Sequence, residues 1–283
     1  MGFPLVKHPE KEWPMRDCPL CRRLNYRRKF RVDNYIVVTC NECGFTFLGN
    51  PPPLKEEQAL YEHYFHQASL GVYSPDSPDP AIQSVWKINE QRLDWIGRFK
   101  DQGRMLDVGC GHGFFLHHAR LKGYEVEGVE ISVAAAQHIS ESLDIVVHLH
   151  NFDEDLNFSG AFDIICLWHS LEHFREPLLV LEQLWNSLTP GGRIFIEVPN
   201  LLSLGFRMSL PGRRWQGGNH PRYHRSFFTA DTLMSTLQMT GFYAIQFEKM
   251  IYPSGTNIPL QPIKRLLNHL NWDSFLDVTA INE

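Results

Sequence analysis

Two spacings of hydrophobic residues alternate along the central part of the chain. From position 104 onward, short apolar runs typical of strands are followed by segments with an apolar residue every three or four positions, as in amphipathic helices. The predicted strands are 105–108, 126–129, 145–149, 162–168, 193–198 and 243–250, and the predicted helices are 114–122, 133–143, 177–188, 230–241 and 263–270. This order predicts an α/β fold with a Rossmann-like, mostly parallel sheet and helices on both faces.

The residues before position 100 predict two smaller units. Residues 1–53 contain two short hairpins and end in three prolines, and residues 54–100 carry helical periodicity at 54–70 and 82–99. The third unit, 101–283, contains the α/β pattern, interrupted by an irregular segment at 201–226 that is rich in glycine, arginine and aromatic residues. A long irregular loop in a compact domain usually has a function, and we predict that 201–226 is the acceptor-binding loop.

Composition narrows the class of protein. The chain has 283 residues and a formal net charge of -5, which argues against a nucleic-acid binder that uses its whole surface. Basic residues cluster locally, at 16–31 and at 213–225. No apolar run is long enough for a membrane span and no signal peptide is evident, so the sequence predicts a cytosolic protein.

Four cysteines form two CxxC pairs, Cys18 with Cys21 and Cys40 with Cys43. Eighteen residues separate the pairs, a spacing typical of a four-cysteine zinc ribbon. Four thiolates complete the tetrahedral shell of Zn²⁺ and leave no open position, so the predicted metal is structural. A redox dithiol is the alternative, but neither pair stands at a helix start after a strand. We expect the remaining cysteines, Cys110 and Cys166, to be small buried groups.

A glycine-rich turn follows the first predicted strand. Gly109, Gly111 and Gly113 remove side chains where a cofactor would touch the backbone, directly after the acidic Asp107. The GxGxG spacing differs from the GxGxxG of dinucleotide-binding proteins. Glu130, 23 residues beyond Asp107, ends the second strand, where a carboxylate can accept hydrogen bonds from a ribose diol. The sequence therefore predicts a nucleotide-cofactor site.

Over residues 100–250 the sequence resembles the class I S-adenosylmethionine-dependent methyltransferases. The resemblance lies in the segments 106–113, 128–130, 162–173, 188–192 and 224–229. It implies that the turn 109–113, including Cys110, lies against the methionine part and ribose of S-adenosylmethionine and that Glu130 holds the ribose hydroxyls. By the same matching, Ile131 packs on the adenine and Leu167 lies near the sulfonium. The adenine edge is assigned to Asn151, Phe152 or Asp153.

A second resemblance covers nearly the whole chain. The segments 18–43, 44–53 and 60–65 are similar to those of zinc-ribbon methyltransferases from bacterial polysaccharide and natural-product pathways. Some sugar C-methyltransferases of this kind continue into a long third domain, and this chain ends before such a domain. The resemblance implies a small or carrier-linked acceptor.

Histidine is the residue type best suited to remove a hydroxyl proton near neutral pH. His169 and His173 follow the fourth strand of the α/β unit, and His220 and His224 lie in the irregular segment, where the resemblance places the active-site mouth. We predict His224, His173 and His169 as catalytic candidates, with a structural hydrogen-bonding role as the alternative for His173. Glu172 and Glu197 are weaker candidates for binding a metal ion or a substrate hydroxyl.

Together these features predict an S-adenosylmethionine-dependent methyltransferase that methylates an oxygen of a sugar or nucleotide-sugar. The arginine clusters favour an anionic group on the acceptor, because guanidinium groups bind phosphates in bidentate fashion. Two alternatives remain: an RNA methyltransferase whose basic ribbon docks the nucleic acid, and a non-catalytic cofactor-binding or scaffold protein. The net acidic charge weighs against the first, and the intact Asp107, Gly111 and Glu130 weigh against the second.

Overall fold

A computed structural model describes residues 13–56, 76–151, 161–209, 220–250 and 274–283, with the backbone alone at 207–209. The predicted helix at 263–270 and most of the one at 54–70 lie outside the described residues. In this part of the chain the strands form two sheets, one of four strands and one of seven.

The seven-stranded sheet confirms the predicted α/β class. Its strand order is β10-β11-β8-β7-β4-β5-β6, and the pairs among β8, β7, β4, β5 and β6 are parallel. The strands are β4 (Arg104–Val108), β5 (Glu125–Glu130), β6 (Val146–Leu149), β7 (Phe162–Trp168), β8 (Leu188–Pro199), β10 (Tyr243–Glu248) and β11 (Phe275–Ile281). Only β11 runs antiparallel to its neighbours within this sheet.

The helices of the described residues follow the predicted order, except that one of them, Leu204–Ser209, lies in the segment 201–226, which was predicted to be irregular. They are α1 (Pro80–Gly97), α2 (Phe114–Leu121), α3 (Val133–Leu143), α4 (Pro177–Ser187), α5 (Leu204–Ser209) and α6 (Ala230–Met239). The hydroxyl of Ser132 caps α3 by accepting a hydrogen bond from the backbone of Ala135, and Pro177 is the first residue of α4. Gly123 follows α2 with a φ of +97°, in the left-handed region that glycine favours.

The small sheet joins the N-terminal cysteine region to the α/β unit. It consists of β1 (Tyr26–Val32), β2 (Tyr35–Cys40), β3 (Thr46–Leu48) and β9 (Ser226–Phe227), in that order. The strand β9 begins at Ser226, the last residue of the segment predicted to be irregular, and its Phe227 pairs with Thr46. Phe45 and Phe47 lie in the same buried cluster as Phe228 and the core of the large sheet. The cysteine region is therefore packed and hydrogen-bonded onto the segment 225–228.

The strand β11 was not predicted from the sequence. Residues 276–280 are all buried, so the strand has no solvent-facing side. Its central residues Asp277 and Thr279 pair with Glu197 and Phe195 of β8. Residues 276–280 do alternate between apolar and polar types, the pattern of a half-exposed strand, but over five residues this signal is short, and both sets of side chains are buried.

Among the described helices, none combines the length and the apolar character that crossing a bilayer requires.

Candidate functional site

The glycine turn connects β4 to α2 at the carboxyl edge of the parallel strands. All three glycines have left-handed backbone angles, with φ values of 81°, 54° and 72° for Gly109, Gly111 and Gly113. A Cβ on Gly109 would lie 2.7 Å from the Cβ of Ser170, and one on Gly113 would lie 2.9 Å from the side chain of Ile139. A Cβ on Gly111 would meet nothing within 4 Å. Two glycines therefore allow close packing, while Gly111 faces open space of the kind a bound cofactor requires.

The carboxylate of Glu130 accepts hydrogen bonds from the backbone of this turn and of the residues after β5. One of its carboxylate oxygens accepts a hydrogen bond from the backbone N–H of Gly111 at 2.8 Å. The other accepts from the backbone N–H groups of Ile131 at 2.8 Å and Ser132 at 3.0 Å. The carboxylate at the end of β5 therefore braces the backbone that surrounds the predicted cofactor site.

Asp107 lies at the base of the same turn, in β4. Its side chain is buried, and its Oδ1 has no hydrogen-bond partner among the described residues. Burial raises the pKa of Asp107 to about 7, an effect that Arg92 opposes and Glu130 reinforces. An orphaned carboxyl oxygen at the base of the turn fits a polar cofactor group, and the residues around the turn thus suit the predicted cofactor.

The other predicted cofactor residues differ in their exposure. Ile131 and Asn151 are half-buried, at the ends of β5 and β6 respectively. Cys110 is buried against Gly128, and Leu167 is fully buried in the central core cluster. The remaining two, Phe152 and Asp153, lie outside the described residues.

The predicted catalytic residues surround Glu172. Its Oε1 is 3.7 Å from Nδ1 of His169, 4.0 Å from Nε2 of His173 and 3.9 Å from Nε2 of His224. His169 follows β7 directly, Glu172 and His173 belong to the 3₁₀ turn at 171–173, and His224 precedes β9. Through Ser170, which contacts Gly109, this group adjoins the glycine turn. We call Glu172, His169, His173 and His224 the histidine cluster.

The histidines of the cluster differ in charge. Burial lowers the pKa of His224 well below its usual value, and neighbouring His173 and His169 lower it further. Burial also lowers the pKa of His173, although Glu172 opposes the shift. Burial also tends to lower the pKa of His169, but the carboxylates of Glu172 and Glu197 have the larger effect and raise this pKa to about 9. The cluster therefore holds one imidazolium and two neutral imidazoles near neutral pH.

A buried ion pair that the sequence did not reveal supports His169. Arg92 of α1 lies 3.3 and 3.0 Å from the two carboxylate oxygens of Glu197, which is fully buried in β8. The Nε2 of His169 is 2.5 Å from Glu197, and the guanidinium lies 4.6 Å from the ring centre of Trp168. Burial raises the pKa of Glu197, but Arg92 and His169 bring it below its usual range.

A sequence signal for Arg92 did exist. Asn89, Arg92, Leu93 and Ile96 are all buried residues of α1, so two polar side chains interrupt its apolar face. The Oδ1 of Asn89 accepts a hydrogen bond from Arg92 at 3.1 Å. A polar pair at this spacing on a buried helix face indicates a partner in the core, because buried charges are normally paired.

The four cysteines converge as their spacing predicted. The Sγ atoms of Cys18 and Cys43, and those of Cys21 and Cys40, are 3.5 Å apart, and all four lie within 4.8 Å of one another. Four Zn–S bonds of about 2.3 Å arranged as a tetrahedron would place the sulfurs at similar separations. The cluster is consistent with a zinc ribbon, and these residues could hold the ion.

The comparison with known proteins identifies the family. Residues 86–246 match the model of a family described as "Methyltransferase domain". The chain belongs to this family. It is an S-adenosylmethionine-dependent methyltransferase with a class I fold.

Relatives and solved structures agree with this assignment. The chain is 24% identical over 213 residues to a ubiquinone biosynthesis O-methyltransferase of Xanthomonas oryzae, covering 68% of this chain and 87% of the relative. A protein of the same name from Aromatoleum aromaticum is 32% identical over 127 residues, covering 42% of this chain and 54% of the relative.

Among solved structures, an S-adenosylmethionine-dependent methyltransferase of Mesorhizobium loti is similar with a TM-score of 0.51 and 18% identity, covering 69% of this chain and 97% of that chain. Phosphoethanolamine N-methyltransferase 2 of Haemonchus contortus, in complex with S-adenosyl-L-methionine, gives a TM-score of 0.51 at 18% identity, covering 78% of this chain and 60% of that one. At these identities the likeness concerns the fold.

Proposed function

We propose that this methyltransferase transfers the methyl group to an oxygen of a small or carrier-linked hydroxylated acceptor, such as a sugar or nucleotide-sugar. The supporting observation is the contact between Gly109 of the glycine turn and Ser170 of the segment that bears His169, Glu172 and His173. It sets the proposed donor site beside a group of imidazoles and a carboxylate. The relatives named O-methyltransferases favour oxygen over nitrogen or carbon as the acceptor atom.

On the donor side, S-adenosylmethionine supplies a methyl group activated by its sulfonium. We assign the binding of this cofactor to Asp107, Gly109, Cys110, Gly111 and Gly113 of the turn and to Glu130, Ile131, Asn151 and Leu167, with Phe152 and Asp153 outside the described residues. Open space at Gly111 supports contact with bare backbone. The enzyme gains most from alignment, because in-line displacement depends on the position of the attacking atom.

On the acceptor side, we propose His224, His173 and His169 as the catalytic residues. His173 and His224 are neutral near physiological pH, and a neutral imidazole can take the hydroxyl proton or offer its lone pair to a cation. Either role increases the nucleophilicity of the acceptor oxygen. The side chains of His173 and His169 are 25% and 36% exposed, so the cluster is open to an incoming acceptor.

An anionic group on the acceptor remains part of the proposal. Arg213 and Arg214 lie outside the described residues. Arg222 and Arg225 flank the cluster, but Arg225 is buried and donates to the carbonyl oxygen of Pro221 at 2.8 Å. Arg225 therefore supports the backbone of the loop. Among the arginines in the described residues, Arg222 is then the candidate for contact with an anionic group of the acceptor.

The cysteines Cys18, Cys21, Cys40 and Cys43 are proposed as ligands of one structural Zn²⁺. The basic ribbon is less available to RNA than its composition suggests, because Arg16 and Arg22 both pair with Glu176 of the α/β unit. This pairing favours a ribbon that is docked on its own domain.

The decisive experiment is an acceptor screen. The purified enzyme is incubated with S-adenosylmethionine and sugars, nucleotide-sugars, catechols or RNA, and release of S-adenosylhomocysteine is recorded by mass spectrometry. We expect turnover with a hydroxylated small molecule and a product whose new methyl group is bonded to oxygen, as located by NMR. Methylation of RNA alone, with salt-dependent RNA retention, would favour the nucleic-acid alternative. Methyl groups found only on nitrogen or carbon would contradict O-methylation.

A further inference from the structure

The carboxylate of Glu172 lacks the partners that a buried charge needs. The residue is 1% exposed, and neither carboxylate oxygen has a hydrogen-bond partner among the described residues. An ionised carboxylate buried without partners is costly, and proteins normally pair it with a cation or a metal ion. The structure therefore points to a positive charge at this position.

Two imidazole nitrogens face the same oxygen. The Nε2 atoms of His173 and His224 lie 4.0 and 3.9 Å from Oε1 of Glu172, and one ligand atom from each of the three residues lies within 4.8 Å of the other two. An ion bound to three such atoms at about 2.0–2.2 Å each requires ligand separations of roughly 3.0–3.6 Å, so the side chains must close by several tenths of an ångström around it.

The tautomer of His173 suits a metal ligand. Its Nδ1 lies 2.9 Å from the carbonyl oxygen of Tyr223, and a carbonyl can only accept, so Nδ1 carries the proton. In the neutral ring the lone pair is then on Nε2, the atom that faces Glu172. Metal-binding histidines commonly donate their second nitrogen to a backbone carbonyl in this way.

Hydrogen bonds fix the relative position of the two segments that carry the three residues. The backbone N–H of Arg225 donates to the carbonyl oxygen of Glu172 at 2.8 Å, and the hydroxyl of Ser226 donates to that of Phe174 at 3.2 Å. Together with the bond from His173 to Tyr223, these contacts hold the segments 171–174 and 223–226 side by side. The segments that carry the ligands are thus held together before any ion binds, and only the side chains need to adjust.

The imidazolium of His169 is the rival partner for Glu172. Its Nδ1 is 3.7 Å from Oε1, which is beyond hydrogen-bond distance. Its Nε2 is committed to Glu197 at 2.5 Å. His169 can reduce the electrostatic cost of the buried carboxylate, but it leaves both oxygens of Glu172 without a hydrogen bond.

We propose that Glu172, His173 and His224 form a divalent-cation site on the acceptor side of the methyl-transfer cleft, separate from the ribbon. Two imidazoles and one carboxylate favour a first-row transition-metal ion over Mg²⁺ or Ca²⁺. Three protein ligands leave coordination positions open, and a pair of adjacent oxygens on the acceptor can fill them. The choice of acceptor, a vicinal diol or catechol, rests on the proposed function, whereas the site itself does not.

In this arrangement the cation acts as a Lewis acid. It lowers the pKa of the acceptor hydroxyl, whose O–H bond breaks with the proton passing to water. The oxygen then forms the O–CH₃ bond while the S–CH₃ bond breaks, and the sulfonium becomes the thioether of S-adenosylhomocysteine. No oxidant or reductant is required.

Co²⁺ is a suitable probe because its spectrum distinguishes the two sites. The metal content of the purified full chain is first measured by elemental analysis, and Co²⁺ is then added while binding is followed by calorimetry and visible absorption. We expect one added equivalent with weak bands of nitrogen and oxygen ligands. Displacement at the four cysteines would instead produce an intense thiolate band. Glu172→Gln and His224→Ala should each weaken the added binding at least about tenfold, as expected when a ligand is removed.

A histidine remote from the cluster provides the matched control. His138→Ala, on α3, should bind Co²⁺ as the wild type does, and circular dichroism should confirm that every variant is folded. Glu172→Gln keeps the shape of the side chain, so it tests the site even if His224→Ala does not fold. No Co²⁺ bound beyond the cysteine cluster, or unchanged binding in Glu172→Gln, would overturn the proposal.

The outcomes also separate this inference from the proposed function. If hydroxylated acceptors are methylated but no second ion binds, the cation site is wrong and O-methylation stands. If the second ion binds and only nitrogen or carbon is methylated, the site stands and the proposed function fails.

Discussion

The proposed donor side and the proposed acceptor side of the site are built in different ways. Most of the proposed donor side comes from one continuous stretch, 104–132, in which a strand, a glycine turn, a helix and a second strand follow one another, with Asn151 and Leu167 added from beyond it. The acceptor side gathers Arg92 from α1, His169 and Glu172 from the end of β7, Glu197 from β8 and His224 from the segment before β9. The donor side is therefore local in sequence, whereas the acceptor side depends on tertiary packing, including that of the ribbon.

This difference assigns a role to the ribbon. The backbone N–H of Leu48 in β3 donates to the carbonyl oxygen of Arg225 at 2.8 Å, one residue beyond His224. The ring of Tyr35 in β2 contacts that of His220 at 6.0 Å between centres. Because the ribbon pairs with the acceptor segment and not with the glycine turn, disturbing it should affect one side of the cleft more than the other.

Cys40→Ser should give the largest separation of the two sides. Structural zinc supplies folding free energy on the order of 10 kcal/mol in small ribbons, so loss of a ligand should unfold the ribbon and release His224. We expect turnover to fall at least about a hundredfold, which corresponds to about 3 kcal/mol of transition-state stabilisation. The affinity for S-adenosylmethionine should stay within about threefold of the wild type, a difference below 1 kcal/mol. Kinetics, elemental analysis and calorimetry measure the three quantities.

Glu42→Gln provides the control for Cys40→Ser. Glu42 is an exposed residue of the same turn, and its substitution retains all four thiols. It should leave zinc content and turnover unchanged. If Cys40→Ser abolished cofactor binding as strongly as turnover, the two sides would be a single folding unit and the comparison would fail.

Gly111→Val should have the opposite pattern. A β-branched residue at a φ of 54° is strained, and its side chain would occupy the open space beside the turn. We expect S-adenosylmethionine affinity to fall by roughly ten- to a hundredfold, from a cost of about 1–3 kcal/mol.

Gly123→Val is matched to Gly111→Val. It also places valine at a left-handed φ, of 97°, with nothing within 4 Å, but at the far end of α2. Gly123→Val should lose about as much stability as Gly111→Val, but it should keep the affinity of the wild type for S-adenosylmethionine. Equal affinities in Gly111→Val and the wild type, by calorimetry, would show that the turn does not bind the cofactor.

The same contrast explains what the sequence revealed. The donor side was predicted in detail because its residues lie close together in the chain and each has a local signature, such as the left-handed glycines and the carboxylate that ends β5. The three histidines were found by matching the family pattern, but their common neighbour Glu172 remained a weak candidate. The polar pair on the buried face of α1 indicates a partner for Arg92, but that partner, Glu197, is 105 positions away, so no local pattern identifies it.

The strand β11 and the pairing of β3 with β9 were missed for a related reason. The first has only a short alternating run of five residues, and the second contains only two residues of β9. Strand pairs between distant segments are determined by register and packing, which a single sequence does not show.

His224→Ala tests the acceptor side without disturbing zinc. If its imidazole takes the proton or holds a cation, we expect turnover to fall at least about tenfold. S-adenosylmethionine affinity should change by less than about twofold, under 0.5 kcal/mol, because the turn is built independently. His138→Ala on α3 is the control and should behave as the wild type in both assays. Wild-type turnover in His224→Ala, with an acceptor that the enzyme accepts, would remove this histidine from the mechanism.

The effect of Asp107→Asn should be seen in the pH dependence of stability. Burial raises the pKa of Asp107 from 3.8 to about 7, so between these values the folded protein holds a proton that the unfolded chain has released. The resulting stabilisation is present in full below pH 4 and is lost as the pH rises through 7, at up to about 1.4 kcal/mol per pH unit. Asparagine does not titrate, so the variant should gain stability relative to the wild type from pH 5 to 7.

Urea unfolding at several pH values measures this difference. The control is Asp144→Asn, which replaces an exposed aspartate after α3 and should follow the wild type. Parallel curves for Asp107→Asn and the wild type would mean that Arg92, which also binds Glu197, keeps the buried carboxyl ionised, and the donor side would then depend on the acceptor side's ion pair.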